Sequence, residues 1–272
     1  MISLRYSTRA PSQPRLIPEN IYGHSKRLEW IVSCLEKDRS IIELGCGTGS
    51  MITIPLAMQG YQIVGIDMDD QSIAFGQELL RARRLVTSIL RRQDLQDINF
   101  LPDVVIASEV LEHLRDAELE NILFTIKKKL ATDGLLLVTV PNGYGWFEME
   151  SFLWFKTGVG WLLERTRAAE LVKSIKSLLF RCGSGEPYPP STLADSPHVQ
   201  RFTYESIQRV LVEHGFEVLS VTGSVMFAGP FSNLFFTGIA PIMKINSLFG
   251  QLMPRLAAGF YISCRPVRRS SS

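Results

Sequence analysis

A glycine-rich turn follows a short apolar run and carries the residue types that bind a nucleotide-like cofactor. Ile41 and Ile42 lead into the sequence ELGCGTG at residues 43–49. Glycine allows a sharp turn and a close approach to a ligand, and the helix that follows offers free N–H groups at its start. An acid, Asp67, ends the next apolar run, where a carboxylate can bind both ribose hydroxyls. This layout predicts a nucleotide-type cofactor site.

A second group of ionisable residues lies between residues 109 and 113. Glu109, Glu112 and His113 occupy positions i, i+3 and i+4, which share one face when the segment is helical. Both carboxylates and the imidazole can then converge. His113 and Glu112 are therefore the candidate catalytic residues, with His113 as a general base; the alternative is that these side chains cap the helix.

The spacing of the glycines distinguishes the first site from a dinucleotide site. A dinucleotide fingerprint reads Gly-x-Gly-x-x-Gly, whereas residues 45–49 read Gly-x-Gly-x-Gly with an acid two positions earlier. The segment resembles motif I of the class I S-adenosylmethionine-dependent methyltransferases. The resemblance implies that the methionine part and ribose of that cofactor are surrounded by Glu43, Gly45, Gly47 and Gly49. It also implies that Asp67 binds the ribose hydroxyls.

The same resemblance assigns three further cofactor contacts. Asp94 follows the predicted third strand, where the family places a side chain against the adenine amino group; a loop aspartate that caps a turn is the alternative. Ser108 and Glu109 follow the predicted fourth strand, and we expect them to face the amino-acid end of the cofactor.

The Glu-x-x-Glu-His pattern at residues 109–113 is similar to that of ubiquinone-pathway O-methyltransferases and small-RNA 2′-O-methyltransferases, where it serves divalent-metal binding. The latter group adds a distant histidine before a Phe-Thr helix start, and here His198 precedes Phe202 and Thr203. The resemblance implies a magnesium or zinc site made of Glu109, Glu112, His113 and His198. Glu-His at this place without a metal is the alternative.

Candidate substrate contacts lie at two places. Asn142 and Tyr144 come at the end of the predicted fifth strand, at the carboxyl edge where ligands enter such sheets; a plain turn is the alternative. His24, with Tyr22 and Arg27, belongs to the predicted first helix and can reach the substrate or the cofactor carboxylate, unless this is a solvated helix face.

Apolar runs of strand length alternate with amphipathic stretches along the chain. Strands are predicted at residues 41–44, 62–66, 88–92, 103–107, 134–140, 216–221 and 259–264, with helices at 25–35, 50–59, 72–83, 117–130 and 203–214. This alternation predicts an α/β fold with a doubly wound, seven-stranded, mostly parallel sheet and right-handed crossovers. The resemblance implies that the last strand lies antiparallel beside the fifth.

We expect one methyltransferase domain over residues 1–272, with its core at about 25–145 and 198–268 and two insertions. The first insertion, residues 146–197, mixes aromatic and basic side chains, and the second, residues 225–257, is apolar and long enough to span a membrane. If this insertion crossed a bilayer, the final β-strand would lie on the opposite side of the membrane from its sheet. A continuous helix is also interrupted by glycines and prolines, at Gly229, Pro230, Gly238 and Pro241. We expect a hairpin or lid that covers an apolar substrate or contacts a membrane surface; mutual packing or a homodimer surface is the alternative.

Composition limits the remaining classes. The chain has 272 residues, 46% of them hydrophobic, and a net charge of +2, which is too small to indicate nucleic-acid binding. Four cysteines without paired spacing predict a reducing, cytoplasmic location, at most peripheral at the inner face of a membrane. The expected activity is O-methylation of a small or lipid-linked hydroxylated acceptor, such as a prenylated quinone precursor or glycolipid. Methylation of a sugar or polyketide-type metabolite at O, N or C, or a non-catalytic scaffold, is the alternative.

Overall fold

A computed structural model describes residues 19–180 and 198–267 of the chain. Its centre is a seven-stranded sheet with the strand order β3-β2-β1-β4-β5-β7-β6. The strands are β1 (Ser40–Leu44), β2 (Gln62–Asp67), β3 (Leu90–Arg92), β4 (Val104–Ser108), β5 (Leu135–Pro141), β6 (Phe216–Gly223) and β7 (Gly259–Pro266). The first five strands pair in parallel, and β7 runs antiparallel to both β5 and β6. The predicted fold class is confirmed.

Helices connect the strands and cover both faces of the sheet. The core helices are α1 (His24–Ser33), α2 (Thr53–Met58), α3 (Asp70–Ala82), α4 (Asp116–Lys129) and α8 (Tyr204–Glu213). The insertions contribute α5 (Trp146–Lys156), α6 (Val159–Arg165), α7 (Ala168–Phe180), α9 (Pro230–Phe236) and α10 (Ala240–Leu252). Residues 181–197, which include the end of the first insertion, lie outside the described residues.

Central strands that are apolar at successive positions bury side chains on both faces of the sheet. Ile42 and Val105 belong to one buried cluster, whereas their neighbours Ile41 and Ile106 belong to the cluster on the other face. Side chains alternate between faces along a strand, so a sheet covered by helices on both sides requires such continuous apolar runs. This requirement explains why the positions of the strands can be predicted from the sequence.

The last strand returns to the sheet as predicted. β7 pairs with β5 from Leu136 opposite Cys264 to Pro141 opposite Gly259, and nearly all of its residues are buried. The apolar second insertion therefore leaves and re-enters the same sheet. Within residues 19–180 and 198–267, no helix combines the length and apolar character needed to cross a bilayer.

The two insertions pack against each other through a buried carboxylate. Glu150 on α5 accepts hydrogen bonds from the Ser232 N–H of α9 at 2.8 Å, from the Ser232 hydroxyl and from the Trp146 indole N–H. Trp154 of α5 packs edge to face on Phe231 of α9, with ring centroids 4.9 Å apart. Three donors satisfy the buried carboxylate, as burial of a charge requires. The insertions thus form one helical layer beside the sheet.

Candidate functional site

The glycine-rich turn after β1 has a backbone that other residues would adopt only with strain. Gly45, Gly47 and Gly49 have φ values of 64°, 52° and 67°, in the left-handed region. A Cβ atom on Gly45 would lie 2.6 Å from Cγ2 of Val110, which follows β4. The turn therefore lies tightly against the end of the neighbouring strand and leaves its backbone accessible on the other side.

Asp67 fixes this turn from the end of β2. Its Oδ2 accepts a hydrogen bond from the Gly47 N–H at 2.7 Å, and its Oδ1 accepts one from the Asp69 N–H at 2.9 Å. Two backbone donors hold the carboxylate in one orientation, and each oxygen keeps a lone pair for a ligand.

A cavity of about 450 Å³, here called the glycine cleft, opens beside the turn. Its lining includes Gly45, Asp67, Asp94, Val110 and His113, which come from four different strand ends. Asp94 also accepts the Gln96 N–H at 2.9 Å, so the predicted turn cap is present and the side chain still borders the cleft. The structure thus brings together three of the residues predicted to bind the cofactor.

Glu43 and Ser108 are predicted cofactor contacts, and neither lines the glycine cleft, so both roles stay predictions. Glu43 is 4% exposed, and its Oε2 accepts the Thr53 N–H at 2.9 Å and the Thr53 hydroxyl. The carboxylate therefore joins β1 to the start of α2 beneath the turn. The Ser108 hydroxyl bonds the Thr139 hydroxyl at 2.8 Å and does not line the glycine cleft.

The helical arrangement predicted for residues 109–113 is wrong. Glu109 has a φ of 55°, and its N–H donates to the Thr139 carbonyl of β5 at 2.8 Å, so it still belongs to the sheet edge. A single 3₁₀ turn, Leu111–His113, follows it. The Glu109 carboxylate therefore does not join Glu112 and His113. Its Oε1 instead accepts from the Thr139 hydroxyl at 3.0 Å and pairs with Nη1 of Arg27 at 3.3 Å.

Three of the four predicted metal ligands meet at what is here called the acid–histidine cluster. Ligand atoms of Glu112, His113 and His198 lie within 4.8 Å of one another, and Glu109 is outside this group. The two imidazole rings contact edge to face with centroids 5.2 Å apart. His198 is brought there because the N–H groups of Val199 and Gln200 both donate to the Glu112 carbonyl, at 2.8 and 2.9 Å.

Glu112 is the buried member of the cluster. Its side chain is 1% exposed, and within the described residues its Oε2 has no hydrogen-bond partner. Burial, and next the charge of Glu109, raises the pKa of this carboxyl well above its usual value. A buried carboxylate oxygen without a donor is expensive unless a ligand or ion satisfies it. One carboxylate and two imidazoles fit the donor set that holds a divalent cation.

A second cavity of about 180 Å³, here called the inner cavity, lies beyond the acid–histidine cluster. Its lining includes Tyr22, His24, Arg27, Glu109, Phe147 and His198. Burial, with a smaller effect of the Arg27 charge, lowers the pKa of His24 to about 3, so this imidazole is neutral at physiological pH. The predicted role of His24 beside a ligand site is consistent with this position.

The other two predicted substrate contacts, Asn142 and Tyr144, line neither cavity and stay predictions. Asn142 is buried, and its side chain donates to the Ala257 carbonyl at 2.9 Å and accepts from the Tyr144 N–H at 3.2 Å. It therefore joins the end of β5 to the segment before β7. Tyr144 is 70% exposed and lines neither cavity.

Two inner-cavity residues were missed by sequence reasoning. Phe147 and Tyr261 both line the inner cavity, but the first lies in an insertion and the second in a strand. An aromatic residue in either place is ordinary packing material, and no local signal in the sequence distinguishes it.

Comparison with known proteins agrees with this geometry. A model of the family described as methyltransferase domain matches residues 25–221. A putative methyltransferase, YqeM of Bacillus subtilis, is 25% identical over 205 residues, which cover 71% of this chain and 80% of that protein. The mitochondrial ubiquinone biosynthesis O-methyltransferase of Bos taurus is 32% identical over 108 residues, which cover 38% of this chain and only 28% of that protein.

Solved structures with little sequence identity share the fold. The glycopeptide N-methyltransferase MtfA complexed with S-adenosylmethionine has a TM-score of 0.52 at 13% identity, covering 96% of this chain and 100% of that one. An enzyme structure described as the conversion of a disulfide bond into a thioacetal group during echinomycin biosynthesis has a TM-score of 0.54 at 15% identity, covering 90% and 83%.

Glu43 predicts a specific dependence of stability on pH. Burial raises its pKa from 4.5 to about 7 in the folded chain, so the folded state binds the proton more tightly than the unfolded state. Its stabilising contribution is present below pH 4.5 and is lost as the pH rises through 7. We expect the unfolding free energy of Glu43→Gln, relative to wild type, to rise by about 3 kcal/mol between pH 4.5 and 8. Urea denaturation at both pH values measures it, with exposed Glu78→Gln as the control. A difference independent of pH would contradict the prediction.

Proposed function

The chain belongs to the class I S-adenosylmethionine-dependent methyltransferases, and from that premise we propose that it methylates a hydroxyl group on a small or lipid-linked acceptor. S-adenosylmethionine is the methyl donor of this family. The matched segments of the ubiquinone biosynthesis O-methyltransferases cover less than half of those proteins, so their substrate enters here only as support for the proposal.

We assign the cofactor to the glycine cleft. Asp67 would accept hydrogen bonds from the ribose hydroxyls, because its carboxylate borders the cleft and is already oriented by two backbone donors. Asp94, two strands away from the turn at the same sheet edge, would bind the adenine amino group. The backbone of the turn at Gly45, Gly47 and Gly49 would approach the methionine part, where side chains would obstruct it.

The contact between the rings of His113 and His198 is the main support for the proposed site of methyl transfer. His113 lines the glycine cleft, His198 lines the inner cavity, and their rings are in edge-to-face contact at 5.2 Å. The methyl donor and the acceptor would therefore approach each other across the acid–histidine cluster. Methyl transfer is an in-line displacement that depends mainly on positioning and desolvation, so a cluster between two cavities is the place where the reacting atoms would meet.

A hydroxyl acceptor must lose its proton, and the cluster supplies the groups for this. His113 would take the proton as a general base, and Glu112, with its Oε1 3.8 Å from Nε2 of His113, would stabilise the imidazolium that forms. Alternatively, a divalent cation held by Glu112, His113 and His198 would lower the pKa of the hydroxyl, and His113 would then serve as a ligand and not as the base. With two imidazoles and one carboxylate, this donor set suits zinc better than magnesium.

The size and walls of the inner cavity support the proposed acceptor class. Its volume of about 180 Å³ is roughly that of cavities that hold one benzene ring. Phe147 from the first insertion and Ala228 from the second form part of its wall. A ring-sized site beneath two insertions with exposed apolar side chains, including Phe152, Phe155, Leu178, Phe235 and Leu252, suits a hydroxylated ring that carries an apolar tail. A sugar or polyketide-type acceptor remains the alternative.

Cofactor binding tests the first assignment. We expect Asp67→Ala to weaken S-adenosylhomocysteine binding by about ten- to a thousandfold, because each lost hydrogen bond to a charged group contributes roughly 1.5–3 kcal/mol. Isothermal titration measures the affinity. Asp70→Ala is the matched control, since this neighbouring carboxylate is exposed and pairs with Arg92 at 3.0 Å outside the cleft. Equal affinities for wild type and Asp67→Ala would remove Asp67 from the cofactor site, and no binding by folded wild-type protein would favour the scaffold alternative.

Label transfer tests the acceptor class. The protein would be incubated with methyl-labelled S-adenosylmethionine and a cell extract, and the products separated into organic and aqueous phases. We expect label in the organic phase, reduced about a hundredfold or more in His113→Ala because the general base is lost. His214→Ala is the histidine control, because His214 follows the end of α8 and its ring is hydrogen-bonded to the Val210 carbonyl. Label confined to the aqueous phase would point to a polar metabolite instead.

Liposome flotation tests contact of the insertions with a membrane surface. We expect Phe155→Glu to reduce the floated fraction about tenfold, because burying one phenylalanine contributes roughly 1.5–3 kcal/mol. Phe124→Glu is the matched control: Phe155 is 72% exposed on α5, and Phe124 is 66% exposed on the core helix α4. Wild-type protein that stays at the bottom of the gradient would refute membrane contact, and concentration-dependent dimerisation in sedimentation would then support a homodimer surface.

A further inference from the structure

The ion pair between Arg27 and Glu109 uses one nitrogen of the guanidinium and one oxygen of the carboxylate. The Arg27 side chain is 13% exposed and lines the inner cavity, and its Nη1 lies 3.3 Å from Oε1 of Glu109. Within the described residues, Arg27 forms this one ion pair, and it does so through a single nitrogen. A guanidinium carries five N–H donors in a planar fork that matches a carboxylate through two parallel bonds. The enclosed Arg27 therefore keeps donor capacity for a second anionic group.

Glu109 has an unusual backbone conformation where it lines the inner cavity. Its φ of 55° lies in the left-handed region, where a non-glycine residue is strained, and such strain concentrates at functional sites. The Thr139 hydroxyl donates its proton to Oε1 of Glu109, at 3.0 Å. The Ser108 hydroxyl lies 2.8 Å from Oγ1 of Thr139 and must therefore be the donor in the bond between Ser108 and Thr139. These contacts orient the Glu109 carboxylate toward Arg27.

The acid–histidine cluster lies near Glu109, because His198 of the cluster and Glu109 line the same inner cavity. Glu112 is nine-tenths buried or more, and its Oε2 has no hydrogen-bond partner within the described residues. Glu109 and His198 line the same cavity, and Glu109 stands three residues before Glu112. A change between staggered side-chain rotamers moves a glutamate carboxylate by several ångström without moving the backbone. The Glu109 carboxylate can thus face either Arg27 or the cluster.

We propose that Glu109 is shared between these two partners, so that a carboxylate-bearing ligand at Arg27 and a divalent cation at the acid–histidine cluster bind cooperatively. The ligand carboxylate takes the guanidinium through two bonds and displaces Glu109 from its one-nitrogen contact. Glu109 then turns to the cluster and becomes its fourth protein ligand. The cation component rests on the proposed function. The carboxylate belongs either to the methionine end of the cofactor or to an acidic acceptor.

Zinc titration of the full chain tests this coupling directly and needs no turnover. Zinc affinity would be measured by isothermal titration for the protein alone, with S-adenosylhomocysteine, with 5′-methylthioadenosine, which lacks the amino-acid carboxylate, and with benzoate. We expect S-adenosylhomocysteine to tighten zinc binding about tenfold or more and 5′-methylthioadenosine to leave it unchanged. Tightening by benzoate alone would assign the carboxylate to the acceptor. By reciprocity, zinc must tighten binding of the same ligand by the same factor.

Variants separate the coupling from a general effect on folding. Arg27→Met should bind zinc more tightly than wild type without any ligand, because Glu109 is no longer held away, and its zinc affinity should not respond to carboxylates. Glu109→Gln should bind zinc more weakly and also lose the response. Arg39→Met, which removes an exposed pair with Glu36, should behave as wild type. If Arg27→Met fails to fold, Arg27→Lys keeps the charge, loses the planar fork and should show a reduced response.

The outcomes distinguish this inference from the proposed function. Zinc binding that is abolished in Glu112→Gln but is the same with and without every carboxylate would overturn the coupling and leave the cation site. No zinc binding in any state would overturn both the cation site and the coupling, whereas S-adenosylhomocysteine binding in the same samples would still support the methyltransferase assignment. An undiminished response in Arg27→Met would also overturn the coupling.

Discussion

Parallel pairing of β1 with β2 on one side and β4 on the other is the constraint on which the site depends. Leu44 is opposite both Ile66 and Ala107, so the turn after β1, the acid at the end of β2 and the segment after β4 reach one edge of the sheet together. The lining of the glycine cleft comes from segments that meet at that edge. The Gly47 N–H can bond Asp67, and the packing of Val110 on Gly45 can shape the glycine cleft, because strand register has already brought these backbones together.

The sequence predicted what local physics decides. Strands buried on both faces must be apolar at successive positions, as in 41–42 and 104–107, so their places could be predicted. The glycines after β1 identify a turn that only they adopt without strain. The direction of Glu109 could not be predicted in this way. Its helical spacing to Glu112 and His113 is real in the sequence, but a hydrogen bond to Thr139, thirty residues later, keeps Glu109 in the sheet edge and overrides the helix.

Long-range contacts likewise explain the other differences between expectation and structure. Asn142 has the position of a ligand contact in the sequence, yet its amide bonds the Ala257 carbonyl of the second insertion. Glu43 has the position of a cofactor contact, yet Thr53 captures its carboxylate beneath the turn. The burial of Glu150 between the insertions is of the same kind. Two of these three side chains, Asn142 and Glu150, are held by hydrogen-bond partners more than eighty residues away along the chain. No local sequence pattern predicts such contacts.

Electrostatic balance in the inner cavity suits the chemistry proposed for it. The methyl donor carries a positive sulfonium, and in a desolvated site an uncompensated cation nearby would oppose its approach. Arg27 is the fixed cation that lines this cavity, and Glu109 neutralises it. His24, which would add a second positive charge, is kept neutral because burial and the Arg27 charge lower its pKa to about 3. Losing Glu109 to a cation at the cluster would leave Arg27 unpaired unless a carboxylate replaced it. Under the proposed coupling, a ligand carboxylate at Arg27 would restore the charge balance that Glu109 provides in the structure.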